Sequence, residues 1–301
     1  MHRAEHTHVP GQLFRSAPAI FLLLWSTGFG VASIALRSAG VGTVLALRYA
    51  VVLLVLAPVL LVLRPGWPRG RAWMHLVVVG LLVQVGYFAG NWTALRMGVG
   101  ASVAALVGAA QPVLAALAAP LFGGERPDGR LWAGLALGVA GAAVVIVARA
   151  GLSAPPALPL VLAVGSTVFL TAGSIYEKQV YGRTGGVVHP LMAAFVQYAV
   201  GVAGAGLLAW LTEDGHIAWS VPFVAAVSYL AVFNSLIAIT LLLLMMQKGE
   251  VARVSALFFL VPPLAAAEAV VLTGERLPPL AWAGMAVAAG GVALATRRRR
   301  S

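Results

Sequence analysis

The sequence predicts an all-α polytopic membrane protein with ten transmembrane helices, arranged as two inverted repeats of five helices each. Composition is the first observation behind this fold class. Hydrophobic residues make up 61% of the 301 residues, whereas Asp, Glu, Lys and Arg together make up 10%. Soluble domains carry roughly 45–50% apolar and about 25% charged residues. The chain therefore has too few charged side chains to cover the surface of a soluble protein of this length.

The second observation is the number of long apolar runs. A transmembrane helix needs about 20 predominantly apolar residues, and ten such runs alternate with short stretches rich in Gly, Pro and charge. We number them spans 1 to 10. They cover residues 18–37, 42–63, 73–95, 99–122, 131–148, 160–181, 190–212, 220–246, 251–273 and 280–296. Pro112 lies inside span 4 and removes a backbone hydrogen bond there, which predicts a bend.

The third observation is an internal repeat with an offset of about 150 residues. Gly124-Glu125-Arg126 recurs as Gly274-Glu275-Arg276, and Trp132-Ala133-Gly134 recurs as Trp282-Ala283-Gly284. Five spans per repeat, an odd number, would place the second copy upside down relative to the first. Inverted repeats of this kind are typical of transporters with a binding site near the membrane midplane, although duplication for packing alone remains the alternative.

The positive charges predict the orientation. The chain carries 20 Lys and Arg against 9 acidic residues, a net charge of +11. With ten spans, fifteen of the basic residues lie in the tails and in loops on the same side as the termini, and four lie on the opposite side. The positive-inside rule then places both termini in the cytoplasm, and the lack of an organelle signal suggests a bacterial inner membrane. This rule explains the basic surplus without nucleic acid, and we expect Arg297–Arg300 to anchor on anionic lipid.

Several classes of chemistry find no support in the sequence. The chain has no Cys, which excludes disulfides, thiol nucleophiles and Cys-ligated metals. It contains no Gly-Lys-Ser/Thr phosphate loop and no catalytic cluster of Ser, His and Asp. We therefore expect neither an enzyme nor a cofactor, and His6 and His8 alone are too weak a pattern for a metal site.

The chain resembles the EamA branch of the drug/metabolite transporter superfamily. The resembling motifs are Trp25-Ser26-Thr27-Gly28-Phe29, Leu47-Arg48-Tyr49, Gln111-Pro112, Phe122-Gly123-Gly124-Glu125-Arg126, Ser174-Ile175-Tyr176-Glu177-Lys178, Leu260-Val261-Pro262-Pro263 and Gly274-Glu275-Arg276-Leu277. The resemblance covers nearly the whole chain and implies a central cavity between the two repeats. It is weak for substrate, since the branch includes exporters of amino acids, their derivatives and toxic cations.

The resemblance also implies a domain organisation. We expect a cytoplasmic tail at residues 1–17, a first EamA-like repeat at 18–148, a linker at 149–159, a second repeat at 160–296 and a basic cytoplasmic tail at 297–301. The expected partners are a small-molecule substrate and the lipid bilayer, with no nucleic acid. The sequence leaves the oligomeric state open and is compatible with a monomer.

Polar and aromatic side chains inside the apolar spans are the candidate substrate ligands, because a polar group in a lipid-buried helix is costly unless it has a partner or a role. The alternative for each is a hydrogen bond between helices, worth about 0.6 kcal/mol on average. The candidates are Trp25, Ser26, Asn91, Gln111, Tyr176, Gln197, Asn234 and Ser235.

Four charged residues are candidates for coupling or gating. Glu268 in span 9 is a carboxyl group inside an apolar helix, the type of group that proton-coupled carriers use; a hydrated position at a cavity mouth is the alternative. Arg48 is the one basic residue deep within a span, where it pairs with an acid or a substrate carboxylate, or else extends to lipid headgroups. Glu125 and Glu275 follow helix ends, and we interpret them as hinges or gate latches.

Together these features predict a secondary transporter of small metabolites that works by alternating access, coupled to a proton or solute gradient. Export as the direction is what the resemblance alone implies. Spans 1, 3, 4, 6, 8 and 9 are expected to line its cavity. An uncoupled facilitator or channel for small polar solutes is the alternative.

Overall fold

Helices account for all regular secondary structure in the described residues of the computed structural model, apart from one isolated bridge between Ala39 and Ile217. The structure describes residues 11–99, 101–122, 128–150, 157–184, 188–238 and 278–296, with residues 240–241, 245, 260–261, 263–265 and 267–268. An all-helical chain is the expected outcome for a sequence this apolar, because a helix satisfies its backbone polar groups within one segment and needs no water to do so. The chain is a two-repeat, polytopic, all-α membrane protein.

Each predicted span that the structure describes over its length is helical. Spans 1, 2, 3, 5, 6, 7 and 10 correspond to Gly11–Ala35, Val41–Leu63, Arg71–Arg96, Gly129–Ala150, Ala157–Thr184, Pro190–Thr212 and Pro279–Thr296. Five helices in the described residues are long and apolar enough to cross a membrane: Ser16–Ala35, Val41–Leu63, Arg71–Arg96, Ala157–Gln179 and Pro190–Thr212. Most of span 9 lies outside the described residues.

Spans 3, 4 and 8 depart from a regular α-helix. Span 4 consists of Ala101–Ala109 and Gln111–Ala118, with a break at Ala110 and a 3-10 turn at Ala119–Phe122. Pro112 is the second residue of the helix after this break, where its missing backbone N–H costs no hydrogen bond within that helix. Spans 3 and 8 contain π-helical segments, Leu81–Tyr87 and Leu230–Ile237, and the second follows the helix Val221–Tyr229.

The two repeats pack through equivalent pairs of helices. Span 2 lies along span 7, and span 5 lies along span 10. Glycines let the second pair approach closely, since a Cβ atom on Gly291 would collide with the backbone at Gly134 and Gly138. On the other side of the same contact, a Cβ atom on Gly141 would collide with the backbone at Gly284 and Ala288. Small residues at such contacts are the usual device for bringing membrane helices together.

The outer surface is apolar along the helices and aromatic at both ends. Leu61, Val62 and Val221 have 75%, 82% and 83% of their surface exposed, which suits contact with lipid rather than water. Trp67 stacks on Trp73 at one end of the bundle, with ring centroids 6.0 Å apart, and Trp219 is exposed at the other end. Tryptophans at both ends are typical of membrane–water interfaces.

Hydrogen bonds join several helices at the face where span 1 ends, which we call the distal face (residues 36–43, 96 and 212–221). The Glu213 carboxylate accepts hydrogen bonds from the backbone N–H groups of Gly42 and Thr43, at 2.6 and 3.1 Å, and from Thr43 Oγ1 at 2.6 Å. It therefore caps the start of span 2, where the helix leaves N–H groups without internal partners. Nearby, Ala218 N–H donates to Ser38 O at 2.8 Å and Arg96 Nη1 donates to Ala39 O at 2.6 Å.

Candidate substrate-binding site

Arg48 is the centre of the candidate site, and its side chain has none of its surface exposed. Its Nε donates to Ser235 Oγ at 2.7 Å, and its Nη2 donates to Asn234 Oδ1 at 3.2 Å. The guanidinium lies 4.4 Å from the ring centroid of Phe88 and 5.3 Å from that of Trp92. These cation–π contacts replace part of the solvation that the cation loses on burial.

The π-helical segment of span 8 presents the two polar partners of Arg48. Ser235 Oγ donates to the carbonyl of Leu230, five residues earlier, which matches the wider turn of a π-helix. Asn234 Nδ2 donates to the carbonyl of Leu24 in span 1 at 3.0 Å, so its amide is held from two sides. Segments of this kind frequently occur at functional sites, and here the segment joins spans 1, 2 and 8.

Four buried polar atoms have no hydrogen-bond partner within the described part of the chain. They are Arg48 Nη1, Asn91 Nδ2, Gln84 Oε1 and Glu268 Oε2. Buried polar groups in proteins are nearly always hydrogen-bonded, so each exception calls for an explanation. Two of the four, Arg48 Nη1 and Asn91 Nδ2, are donors on side chains that line one cavity.

Two small adjoining cavities lie between the spans. The cavity at Arg48 is lined by Trp25, Gly28, Phe29, Arg48, Tyr87, Phe88, Asn91, Trp92 and Asn234. The other is lined by Trp25, Phe29, Tyr87, Ala105, Gly108, Leu170 and Val261. The shared aromatic residues join a polar compartment to an apolar one. Their walls come from spans 1, 3, 4, 6, 8 and 9, the set expected from the sequence, and additionally from span 2.

Ser26 and Glu268 form a second polar pair. Ser26 Oγ lies 2.6 Å from Glu268 Oε1 and also 2.7 Å from the carbonyl of Leu22. Ser26 is buried and follows Trp25, which lines both cavities. The pair joins span 1 of the first repeat to span 9 of the second, so the candidate coupling residue contacts a helix that forms the walls of the site.

Three other candidates from the sequence bond to neighbouring helices instead. Gln111 Nε2 donates to Ser174 Oγ at 3.2 Å, and Gln197 Nε2 donates to Glu177 Oε1 at 3.0 Å. Tyr176 shares a hydrogen bond of 2.6 Å with His75 Nδ1. Gln111, Tyr176 and Gln197 do not belong to the walls of the two cavities described above.

A comparison with known families decides the identity of the chain. The EamA-like transporter family matches residues 17–147 and again residues 157–297. The chain belongs to the EamA-like transporter family. It is thus a membrane transporter, and the two matches are the two copies of its repeat.

Named relatives of this EamA-like transporter include exporters. A probable terminal-alkyne amino-acid exporter of Streptantibioticus cattleyicolor is 29% identical over 94% of this chain and 93% of its own length. A probable amino-acid metabolite efflux pump of Escherichia coli is 23% identical over 88% of each chain. A shorter match, 26% identical over 192 residues, covers 64% of this chain and 61% of the uncharacterized transporter YvbV of Bacillus subtilis.

A solved crystal structure has the same fold as this EamA-like transporter. It is 25% identical, aligns with a TM-score of 0.74 and covers 96% of this chain and 99% of the other.

The structure thus brings Trp25, Arg48, Asn91, Asn234 and Ser235 together in this EamA-like transporter, with Ser26 and Glu268 beside them. Glu125 and Glu275 lie outside the described residues. The sequence analysis did not identify Phe88 and Trp92, which contact the guanidinium. Their spacing of four residues on one helix, flanking Asn91, is the signal that could have found them.

Proposed function

We propose that the chain is a secondary active exporter of small metabolites, such as amino acids, their derivatives or toxic organic cations. The observation that carries this proposal is the buried site at Arg48, where polar groups of both repeats meet beside a cavity with aromatic walls. Buried polar groups between membrane helices mark substrate pathways in many transporters. The names of two relatives, a probable amino-acid exporter and a probable amino-acid metabolite efflux pump, support export and this substrate range.

Alternating access is the mechanism that this architecture favours. Two related repeats can exchange conformations about a fixed central site. The π-helical segments Leu81–Tyr87 and Leu230–Ile237 and the break at Ala110 supply places where spans 3, 8 and 4 can change shape. The hydrogen bonds of Glu213, Ala218 and Arg96 close the distal face in the conformation described above, and an outward-facing state would have to break them.

Glu268 is our candidate for gradient coupling. Its contact with Ser26 links a titratable carboxyl group to span 1, which contributes walls to both cavities. Protonation would remove the negative charge from this contact and so change how strongly span 9 holds span 1. A proton could thereby alter the preference of the carrier for one conformation, which is the requirement for coupled transport.

The proposed location is a bacterial inner membrane with both termini in the cytoplasm. The distal face would then face the periplasm, and the larger share of Lys and Arg would lie in the cytoplasm. Export would carry the substrate from the Trp67 end of the bundle towards the Trp219 end.

Uptake into everted membrane vesicles tests the proposal. Vesicles containing the full chain are energised to be acid inside and supplied with labelled amino acids and one organic cation, with and without a protonophore. We expect saturable accumulation that the protonophore abolishes, and vesicles lacking the protein are the control. Equilibration without accumulation, unaffected by the protonophore, would identify an uncoupled facilitator instead. Failure to move any compound faster than the control vesicles would contradict the proposed substrate range.

A further inference from the structure

Two buried nitrogen atoms at the Arg48 cavity are positioned to donate hydrogen bonds to a ligand. Arg48 has none of its surface exposed and Asn91 has 1%. Within the residues that the structure covers, Arg48 Nη1 and Asn91 Nδ2 lack any hydrogen-bond acceptor. Both side chains line the same cavity. An unsatisfied buried donor is costly, and more so when it is charged, so a ligand that supplies acceptors would remove the cost.

We propose that Arg48 and Asn91 bind the carboxylate of the exported metabolite, an inference that rests on the proposed export function and narrows its substrate class. A carboxylate offers two oxygens with a shared negative charge, which matches one guanidinium N–H and one amide N–H. Hydrogen bonds between charged partners are shorter and roughly twice as strong as those between neutral groups. The site thus selects for an anionic headgroup.

The guanidinium is already oriented for this task. Arg48 Nε donates to Ser235 at 2.7 Å and Nη2 donates to Asn234 at 3.2 Å. Arg48 Cζ lies over the Phe88 ring, 4.4 Å from its centroid. These contacts fix the side chain and leave Nη1 for an external partner. A donor that is held in place before binding loses little conformational entropy when the ligand arrives.

The same geometry disfavours organic cations at this cavity. Arginine keeps its positive charge in proteins, and none of its hydrogen-bond partners among the described residues is a carboxylate. Glu268 is not among the residues that line this cavity. A cationic ligand would meet an uncompensated positive charge away from water, where screening is weak. Of the substrates proposed above, amino acids and their acidic derivatives fit, and simple organic cations do not.

The rest of the cavity indicates the other end of the ligand. Trp25, Phe29 and Tyr87 connect the polar compartment to the apolar one lined by Ala105, Leu170 and Val261. In the conformation described, each cavity has room for about one water molecule, so binding requires the two compartments to widen. A metabolite with a carboxylate at one end and an apolar side chain at the other would then satisfy both compartments.

Thermal unfolding of the purified full chain in lipid nanodiscs tests the carboxylate site without requiring transport. The probes are L-phenylalanine, L-leucine and L-threonine, each paired with its carboxamide, which keeps the amine and the side chain but lacks the negative charge. We expect at least one acid to raise the unfolding temperature in a saturable way, and no amide to do so. An equal response to acids and amides, including no response to either, would overturn the proposal.

Two variants test whether Arg48 and Asn91 are the residues that bind the carboxylate. N91D places an internal carboxylate beside the cavity, where it can satisfy Arg48 Nη1; we expect its unliganded unfolding temperature to equal or exceed that of the wild type, with the response to acid lost. R48K keeps the charge but lacks the guanidinium fork, and we expect about tenfold to hundredfold weaker binding. S166A is the control, because Ser166 is buried and polar but bonds to the carbonyl of Ala163 and does not line the cavity.

The outcomes separate this inference from the proposed function. Wild-type affinity for the acids in a folded N91D or R48K variant would overturn the assignment of these residues. Accumulation of the amides or of an organic cation in vesicles, without binding of the acids, would overturn the carboxylate site and leave export intact. Binding of the acids that depends on Arg48, without accumulation in energised vesicles, would support the site and contradict the export proposal.

Discussion

Tyr49 and Tyr198 contact each other in the core, with ring centroids 5.6 Å apart, and occupy equivalent positions in the two repeats. Tyr49 OH donates to the carbonyl of Gln84 at 2.8 Å, and Tyr198 OH donates to the carbonyl of Ser235 at 3.3 Å. Both carbonyls belong to π-helical segments. Each tyrosine therefore supports the irregular segment of its own repeat, and the ring contact joins the two supports.

Removing either hydroxyl should destabilise the transporter and its π-helical segments. We expect Tyr49→Phe and Tyr198→Phe each to lower the free energy of unfolding by about 1 kcal/mol, because a buried carbonyl loses a donor while the ring contact is kept. Thermal unfolding in nanodiscs measures the loss. Since the two hydroxyls bond to different segments, the double variant should show nearly additive effects. A double variant no less stable than either single one would show that the two supports act as one unit.

Gly28 and Gly30 form a matched pair for testing the site. A Cβ atom on Gly28 would collide with the side-chain amide of Asn234, whereas one on Gly30 would meet no atom of the described residues within 4 Å. We expect Gly28→Ala to displace Asn234 from Arg48 and weaken substrate binding by about tenfold, the equivalent of one lost hydrogen bond. Gly30→Ala should bind as the wild type does. Titration of labelled substrate measures both, and equal affinities for the two variants would show that the Asn234 contact does not matter for binding.

Glu268→Gln should abolish the coupling of transport to the proton gradient while leaving substrate movement across the membrane intact. The amide keeps the shape and can still accept the hydrogen bond from Ser26 Oγ, but it cannot take up a proton at neutral pH. We expect accumulation driven by a pH gradient to be lost, while exchange of labelled for unlabelled substrate across the membrane continues at a comparable rate. Ser26→Ala, which removes the contact and keeps the acid, is the companion variant; because the proposed coupling acts through this contact, it should reduce gradient-driven accumulation while exchange continues. Undiminished accumulation in Glu268→Gln would exclude this carboxyl group as the coupling site.

Adjacent glycines in span 10 offer a test of packing. Gly291→Ala would drive a methyl group into the backbone at Gly134 and Gly138, which cannot move aside as a side chain can. Strain of this kind costs roughly 1–3 kcal/mol. Gly290→Ala, whose methyl group would meet no described atom within 4 Å, should be neutral or stabilising by up to about 1 kcal/mol through helix propensity. Unfolding temperatures of the two variants should therefore shift in opposite directions or differ clearly, and matching shifts would contradict the close contact of spans 5 and 10.

The orientation can be tested cleanly because the chain has no cysteine of its own. Asp214 and Arg69 are exposed at opposite ends of the bundle. With both termini in the cytoplasm, a membrane-impermeant maleimide should label Asp214→Cys in cells with a permeabilised outer membrane, and Arg69→Cys in everted vesicles. The reverse pattern would place the termini outside.

Much of the fold could be predicted from the sequence because bilayer thickness imposes a length on every span. Pro112 likewise predicted the break in span 4, since the loss of its backbone N–H acts locally. The π-helical segments were not predicted, because no residue type in Leu81–Tyr87 or Leu230–Ile237 requires the wider turn. Both segments bond to neighbouring helices through the hydroxyl groups of Tyr49 and Tyr198, contacts that a single sequence does not reveal.

The site could be predicted only in part, because only its polar residues differ in type from their apolar surroundings. Arg48, Asn91 and Asn234 stand out as polar residues in apolar runs, whereas Phe88 and Trp92 look like any lipid-facing residues until the structure brings them to the guanidinium. Ser26 and Glu268 are 242 residues apart in the chain, in different repeats. A single sequence carries no periodicity that pairs positions so distant.

The cap that Glu213 forms at the start of span 2 bears on how substrate and closure influence each other. Span 2 is one continuous helix from Val41 to Leu63, so the segment that Glu213 holds also carries Arg48. A movement of span 2 that breaks the cap would shift the guanidinium relative to Ser235 and Asn234. Linkage is reciprocal. If opening of the distal face changes the substrate affinity by some factor, bound substrate changes the equilibrium constant for opening by the same factor. One helix would thus transmit occupancy of the cavity to the distal face, and the state of the distal face back to the cavity.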